Sequence, residues 1–281
     1  MKTILFPTDF SSSADNALSY AAVLCNDLKA KLVLFHSFHI PAYASPETLD
    51  DATEEQLTAR AENDLLKLRN KVLAEHKELE IECIVNLGLA VDRIISSAAE
   101  KHADMIIMGT KGASGLKEIF VGSNASAVLD KAPCPVLVIP DKAAFKGIAK
   151  IVFATNYQES DFQSIKFLTE IASLFNAEIL IVHISEFTQA DVNEKDLQWF
   201  KDELKKKSNI LYENISFHNL IGGNVDWELE EFIEQNNIDL LSLSMRKRNI
   251  FTKLFDRSLT KKMAYHSHVP MLAFHAAKHI V

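Results

Sequence analysis

Short apolar runs recur along this chain, each closed by a polar or glycine-marked break and separated from the next by a longer amphipathic stretch. Residues 3–6 (Thr-Ile-Leu-Phe), 31–36, 103–108 and 136–139 have the near-continuous apolar character of strands buried on both faces of a parallel sheet. Residues 81–87 alternate, with Ile81, Cys83, Val85 and Leu87 set against Glu82 and Asn86, and predict a fifth strand. Between these lie helical patterns. Ser11, Ser12 and Ser13 offer N-caps for a helix with Ala14, Ala17, Leu18, Ala21, Leu24, Cys25 and Leu28 on its apolar side. Residues 54–76 place Leu57, Ala61, Leu65, Leu68 and Val72 on one face, and residues 91–102 and 124–129 predict two more helices, Ser123 lying near the start of the last. The order βαβαβαβαβ predicts an α/β, doubly wound, Rossmann-like parallel sheet.

After a short connection at 141–150 the pattern starts again. Ile151-Val-Phe-Ala-Thr155-Asn156-Tyr157 matches Ile4-Leu-Phe-Pro-Thr8-Asp9-Phe10, and residues 176–183 match the segment ending at His36. Ile238-Asp239 matches Ala103-Asp104, and Val269-Pro270 matches Cys134-Pro135. Matches in the same element order point to a duplicated domain, with boundaries at 1–141 and 148–281. The 281 residues suffice for two such units, each burying its own core.

The chemistry concentrates after the strand at 103–108. There Gly109, Gly112 and Gly122-Ser123 form a Gly-x2-Gly-x9-Gly-Ser spacing that ends on a helix start. Glycines let a backbone turn left-handed and approach a ligand without Cβ contact, and the N–H groups at a helix start face anions. The spacing is neither a P-loop nor Gly-x-Gly-x-x-Gly. Ligands of open α/β sheets sit outside the carboxyl ends of strands, and Asp9, Phe38 and Gly109 each follow such an end. A carboxylate at Asp9 can accept hydrogen bonds from a base or ribose; it can equally cap the helix that follows.

Taken with Ile4-Leu-Phe-Pro-Thr-Asp9 and Ala132-Pro-Cys-Pro135-Val-Leu-Val-Ile139, the glycine spacing resembles the ATP-binding branch of the universal stress protein family over residues 1–140. The resemblance implies ATP, with Mg as a companion ion. It implies nucleotide contacts at Pro7, Thr8, Asp9, Phe38, Met108, Gly109, Gly112, Gly122, Ser123 and Asn124. It further implies a stress-response role exerted through nucleotide-dependent conformation or partner binding. Tandem members pair their two domains about a pseudo-two-fold axis, which would set the strand at 269–274 against that at 136–139; a homodimer is a further expectation. Two alternatives stay open, a slow ATP hydrolase and an interaction scaffold without nucleotide turnover. No nucleophile–base pair is evident, so no catalytic residue and no enzyme is expected.

The second copy loses the motif. Aligned on its flanking strands, it has Ser244 at Gly109, Lys247 at Gly112, Ile250 at Gly115 and Arg257 at Gly122; only Ser258 matches Ser123, and Asn156 stands for Asp9. Non-glycine residues at positive φ cost roughly 1–2 kcal/mol each, so a different loop course is expected there. Arg246, Lys247, Arg248, Lys253 and Arg257 could instead hold an anion by charge, or form a solvated basic loop. A net charge of −8 argues against general nucleic-acid binding. Cys25, Cys83 and Cys134 stand apart in apolar segments and read as reduced thiols rather than a disulfide framework. His266, His268, His275 and His279 lack a cysteine companion, and no metal site is expected from them. With no run near the ~20 apolar residues of a membrane span, and a start too short for a signal h-region, a cytoplasmic protein is expected.

Overall fold

The computed structural model describes residues 2–40, 54–110, 122–185, 190–207, 212–245 and 269–275. The chain divides into two compact units, Met1–Phe145 and Lys146–Val281. The first contains β1 (Thr3–Pro7), α1 (Ser12–Leu28), β2 (Lys31–Phe38), α2 (Glu54–Glu75), β3 (Ile81–Leu87), α3 (Ala90–Glu100), β4 (Met105–Gly109), α4 (Ser123–Lys131) and β5 (Val136–Ile139). Its strands lie in the order β3-β2-β1-β4-β5, and every pair is parallel. The chain winds outward from β1 to β3, then returns to the other side of β1 for β4 and β5. Strand order therefore reverses between β1 and β4, which is where α/β sheets open a crevice at their carboxyl ends.

The second unit repeats this with β6 (Lys150–Ala154), α5 (Asp161–Phe175), β7 (Glu178–Ser185), α6 (Ala190–Lys207), β8 (Ile215–Ile221), α7 (Val225–Asn236), β9 (Leu240–Met245) and β10 (Met271–His275). Its order is β8-β7-β6-β9-β10, again parallel throughout, with the reversal between β6 and β9. The fold class read from the sequence is therefore the one observed, in both halves.

The apolar runs form the strands because burial on both faces rewards each residue. Leu5, Phe6, Leu32, Val33, Leu34, Ile106, Ile107 and Val136 are all fully buried, and each such side chain contributes about 1.5–3 kcal/mol by leaving water. The paired aspartates of the repeat serve the sheet. Asp104 accepts the Thr3 N–H at 2.7 Å, and Asp239 accepts the Lys150 N–H at 3.0 Å. Each carboxylate thus ties the start of the unit's first strand to that of its fourth. The helices that follow β1 and β6 also end alike: Lys29 and Asn176 take left-handed conformations at φ 50° and 51°. Ala30 and Ala177 then donate back to the carbonyls of Cys25 and Ala172, a Schellman-type closure.

The amphipathic reading of α2 agrees with burial of Ala61, Leu65 and Val72. Cys25 and Cys134 are buried and Cys83 is half-buried; burial pushes the Cys134 thiol up to about 12 and raises Cys25 further. Both buried thiols are therefore protonated and inert at neutral pH. Among the described residues no helix is long and apolar enough to cross a membrane.

Candidate functional site

The turn that leaves β1 is built before any ligand is considered. Thr8 is buried, and its N–H donates to the Phe35 carbonyl on β2 at 2.8 Å. Its hydroxyl accepts the Phe10 N–H at 3.0 Å, which holds Phe10 in a left-handed conformation at φ 61°. The Thr8 carbonyl can only accept, so the His36 Nδ1 that lies 2.8 Å away carries the proton. The Phe10 ring packs on the same imidazole at a centroid distance of 4.5 Å. A non-glycine residue at positive φ persists where its surroundings over-determine it, and here a hydroxyl, a ring and an imidazole do so.

This turn presents Asp9 to solvent. Its Oδ1 accepts the Ser11 N–H at 3.1 Å. The cap of α1 is Ser11 instead, whose hydroxyl accepts the Ala14 N–H at 3.2 Å. Of the two roles open to Asp9, helix capping is thus taken by its neighbour.

On the other side of the strand-order reversal, Gly109 ends β4, buried and in register with Ile139. Thr110 donates to the Ile139 carbonyl at 3.0 Å and its own carbonyl accepts the Gly122 N–H at 2.6 Å. Both ends of the intervening loop are thereby tied together beside β4. Gly122 is the N-cap of α4 at φ −57°, ψ 158°, with no side chain to cap the first turn, and no acidic residue stands in that turn. The first-turn N–H groups at Ser123 and Asn124 are the positive end of the helix dipole, and both residues are exposed.

Two expectations change here. Neither Gly109 nor Gly122 has positive φ, so left-handed backbone is not what calls for glycine at these positions. Gly122 also turns its N–H back to Thr110, which leaves Ser123 and Asn124 as the donors at this end. Gly112 and Gly115 lie outside the described residues, as do the second copy's Arg246, Lys247, Arg248, Ile250, Lys253, Arg257 and Ser258 and the histidines 266, 268 and 279.

The remaining candidates are spread along the same carboxyl edge. Pro7 closes β1 opposite Phe35, Phe38 closes β2 opposite Leu87 and is half-buried, and Met108 lies buried in β4 opposite Val138. The edge thus reads Phe38, then Pro7-Thr8-Asp9, then Met108-Gly109, across three neighbouring strands.

The second unit keeps the support and changes what it presents. The Thr155 hydroxyl accepts the Tyr157 N–H at 2.8 Å, Tyr157 has φ 54°, and the His183 Nδ1 lies 2.8 Å from the Thr155 carbonyl. The recurrence of His36 and His183 therefore has a structural cause: each imidazole braces a turn. Tyr157, however, is buried, with its ring 4.6 Å from His183 and 5.2 Å from Phe200, and its hydroxyl donates to Asn219. Burial pushes its phenol well above the usual range. Asn156 takes the exposed place of Asp9, while the carboxylate has moved inside: Asp161, fully buried, accepts the Thr155 hydroxyl at 2.7 Å.

The register also equates Gly109 with Ser244, because Ile4 pairs with Met105 and Ile151 with Leu240, four residues before each. The Ser244 hydroxyl lies 3.3 Å from that of Ser164. Neither the inward carboxylate nor the buried tyrosine has a periodic signature. The only sequence signal for them was the exchange of Asp9 for Asn156 and of Phe10 for Tyr157.

Comparison with known proteins agrees with the duplication. The model of the universal stress protein family matches twice, at residues 1–140 and 147–275. A universal stress protein of Thermus aquaticus is 30% identical over 139 residues, 49% of this chain and 98% of that protein. Universal stress protein MJ0577 of Methanocaldococcus jannaschii is 27% identical over 157 residues, 50% of this chain and 96% of its own. A crystal structure of a universal stress protein from Archaeoglobus fulgidus shares the fold along the whole length, with a TM-score of 0.71 at 17% identity and 98% coverage of both chains. The chain belongs to the universal stress protein family, carrying the family's domain twice in tandem.

Proposed function

We propose that the first unit binds ATP across the carboxyl ends of β1, β2 and β4, and that the bound nucleotide sets conformation or partner choice in a cytoplasmic stress response. One observation carries this reading. The first turn of α4, behind an N-cap without a side chain, is tied to the end of β4 across the strand-order reversal from an exposed carboxylate, Asp9. A phosphate chain suits the first feature and a nucleoside suits the second.

In this reading Ser123 and Asn124 donate to the phosphates, through N–H groups and the Ser123 hydroxyl, with Mg2+ accompanying the nucleotide. Gly109 and Gly122 permit close approach, and Gly112 is assigned with them by its place in the motif. Asp9 accepts from the adenosine, and Pro7, Thr8, Phe38 and Met108 flank the base.

Asp9→Ala is expected to weaken ATP and adenosine alike, by about tenfold or more, since a hydrogen bond to a charged group contributes roughly 1.5–3 kcal/mol. Paired titrations with the two ligands check this. A loss confined to ATP would move Asp9 to the phosphate or metal end. The broader proposal is tested by mass spectrometry of ligand released from gently purified protein. An adenine nucleotide at near-stoichiometric yield is the expected result; protein that carries none and takes up none from millimolar ATP would refute it.

A further inference from the structure

The second unit has a cavity of about 590 Å³ between α6 and the outermost strand β8, lined by Lys201, Leu204, Lys205, Tyr212, Glu213, Ile215 and Phe217. That volume is within the ordinary range of small-molecule sites, roughly 300–1,000 Å³. It belongs to the second unit, and does not depend on the nucleotide reading of the first.

The first unit shows what this place looks like when closed. Strand registers equate Ile215 with Ile81 and Phe217 with Cys83, through Ile179 and Ile181 on β7 and Leu32 and Leu34 on β2. There α2 packs directly on β3, and the Cys83 thiol lies 3.8 Å from the Leu65 carbonyl.

The chemistry of the walls is specific. Leu204, Ile215 and the Phe217 ring are apolar. Tyr212 adds a ring whose hydroxyl is already committed, donating to the Ala177 carbonyl with the Ala172 carbonyl 3.2 Å away. The polar character comes from two ammonium groups one helical turn apart. Lys201 Nζ lies 4.9 Å from the Phe217 ring centroid. Among the described residues, neither Lys201 nor Lys205 has a carboxylate partner, the adjacent ion pair being Lys206–Glu203. Among the lining residues the two lysines outnumber the single carboxylate, Glu213, which is exposed.

We infer that this cavity binds a small aromatic monoanion, an aryl or arylalkyl carboxylate or sulfonate. Its ring would lie against Phe217, Tyr212 and Leu204, and its charged end between Lys201 and Lys205. An aromatic body is favoured over an alkyl chain because two of the lining side chains are aromatic and rings lose little conformational freedom on binding. A neutral ligand would make no use of the two ammonium groups.

The probe is 4-phenylbutyrate, with 4-phenylbutan-1-ol as its uncharged counterpart, each titrated into isotopically labelled full-length protein and followed by amide NMR shifts. The acid is expected to shift the amides of residues 201–205 and 215–217 saturably, about tenfold more tightly than the alcohol. Lys201→Ala/Lys205→Ala, whose spectrum reports folding directly, should weaken the acid by about tenfold or more and leave the alcohol unchanged. Saturating ATP should leave the acid titration as it was. Shifts centred elsewhere, equal affinity for acid and alcohol, or displacement of the acid by ATP would each overturn the assignment.

Discussion

Gly122→Val is expected to abolish ATP binding and leave the protein folded. The backbone at this position, φ −57° and ψ 158°, is open to any L-residue, so valine brings no conformational strain. Its N–H can still donate to the Thr110 carbonyl, the bond that ties the loop ends together. Glycine supplies no side-chain cap here, and replacing it at an N-cap by an apolar residue costs about 1 kcal/mol, a fraction of the stability of a domain this size.

The cost to ligand is of a different order. A phosphate that reaches the N–H groups of Ser123 and Asn124 must pass the N-cap residue, and a branched side chain there excludes it. Two charge-assisted hydrogen bonds lost at roughly 1.5–3 kcal/mol each weaken binding on the order of a hundredfold or more. Calorimetric titration of the variant, with circular dichroism as the check on folding, measures both halves of the expectation. A folded Gly122→Val protein with unchanged affinity would remove the phosphate role from this helix start.

The strands were legible because a parallel strand buried on both faces is written as an apolar run, and β1, β2, β4 and β5 are such runs. The duplication was legible because strand-end residues such as Asp104 and Asp239, or Thr8 and Thr155, perform the same bond in each unit. The site was less so. Residues 7–9, 108–109 and 122–124 lie at one edge of the sheet. Of the two uses of glycine open at Gly109 and Gly122, left-handed backbone is not the one taken, and spacing does not reveal the sign of φ. Nor could spacing show that Ser11 takes the cap, that His36 braces the Thr8 turn, or that the Gly122 N–H is already engaged. These are bonds between residues far apart in sequence or choices among adjacent donors or acceptors, and neither leaves a periodic trace.

The same reasoning makes the two units unequal. One ATP per chain is the second large expectation. In the first unit the strand-end turn offers an exposed carboxylate and the fourth strand ends on a glycine. In the second, the exposed group is the amide of Asn156, and the carboxylate of Asp161 is fully buried against Thr155. Tyr157 fills its own surroundings between His183 and Phe200, and Ser244 stands where Gly109 would allow approach. An anion held by the basic residues 246–257 would add a second equivalent, which makes the count decisive. The direct measurement is isothermal titration of ATP into nucleotide-free full-length protein, repeated with Gly122→Val. A stoichiometry near one that vanishes in the variant is the predicted result; two equivalents, or one that survives Gly122→Val, would contradict it.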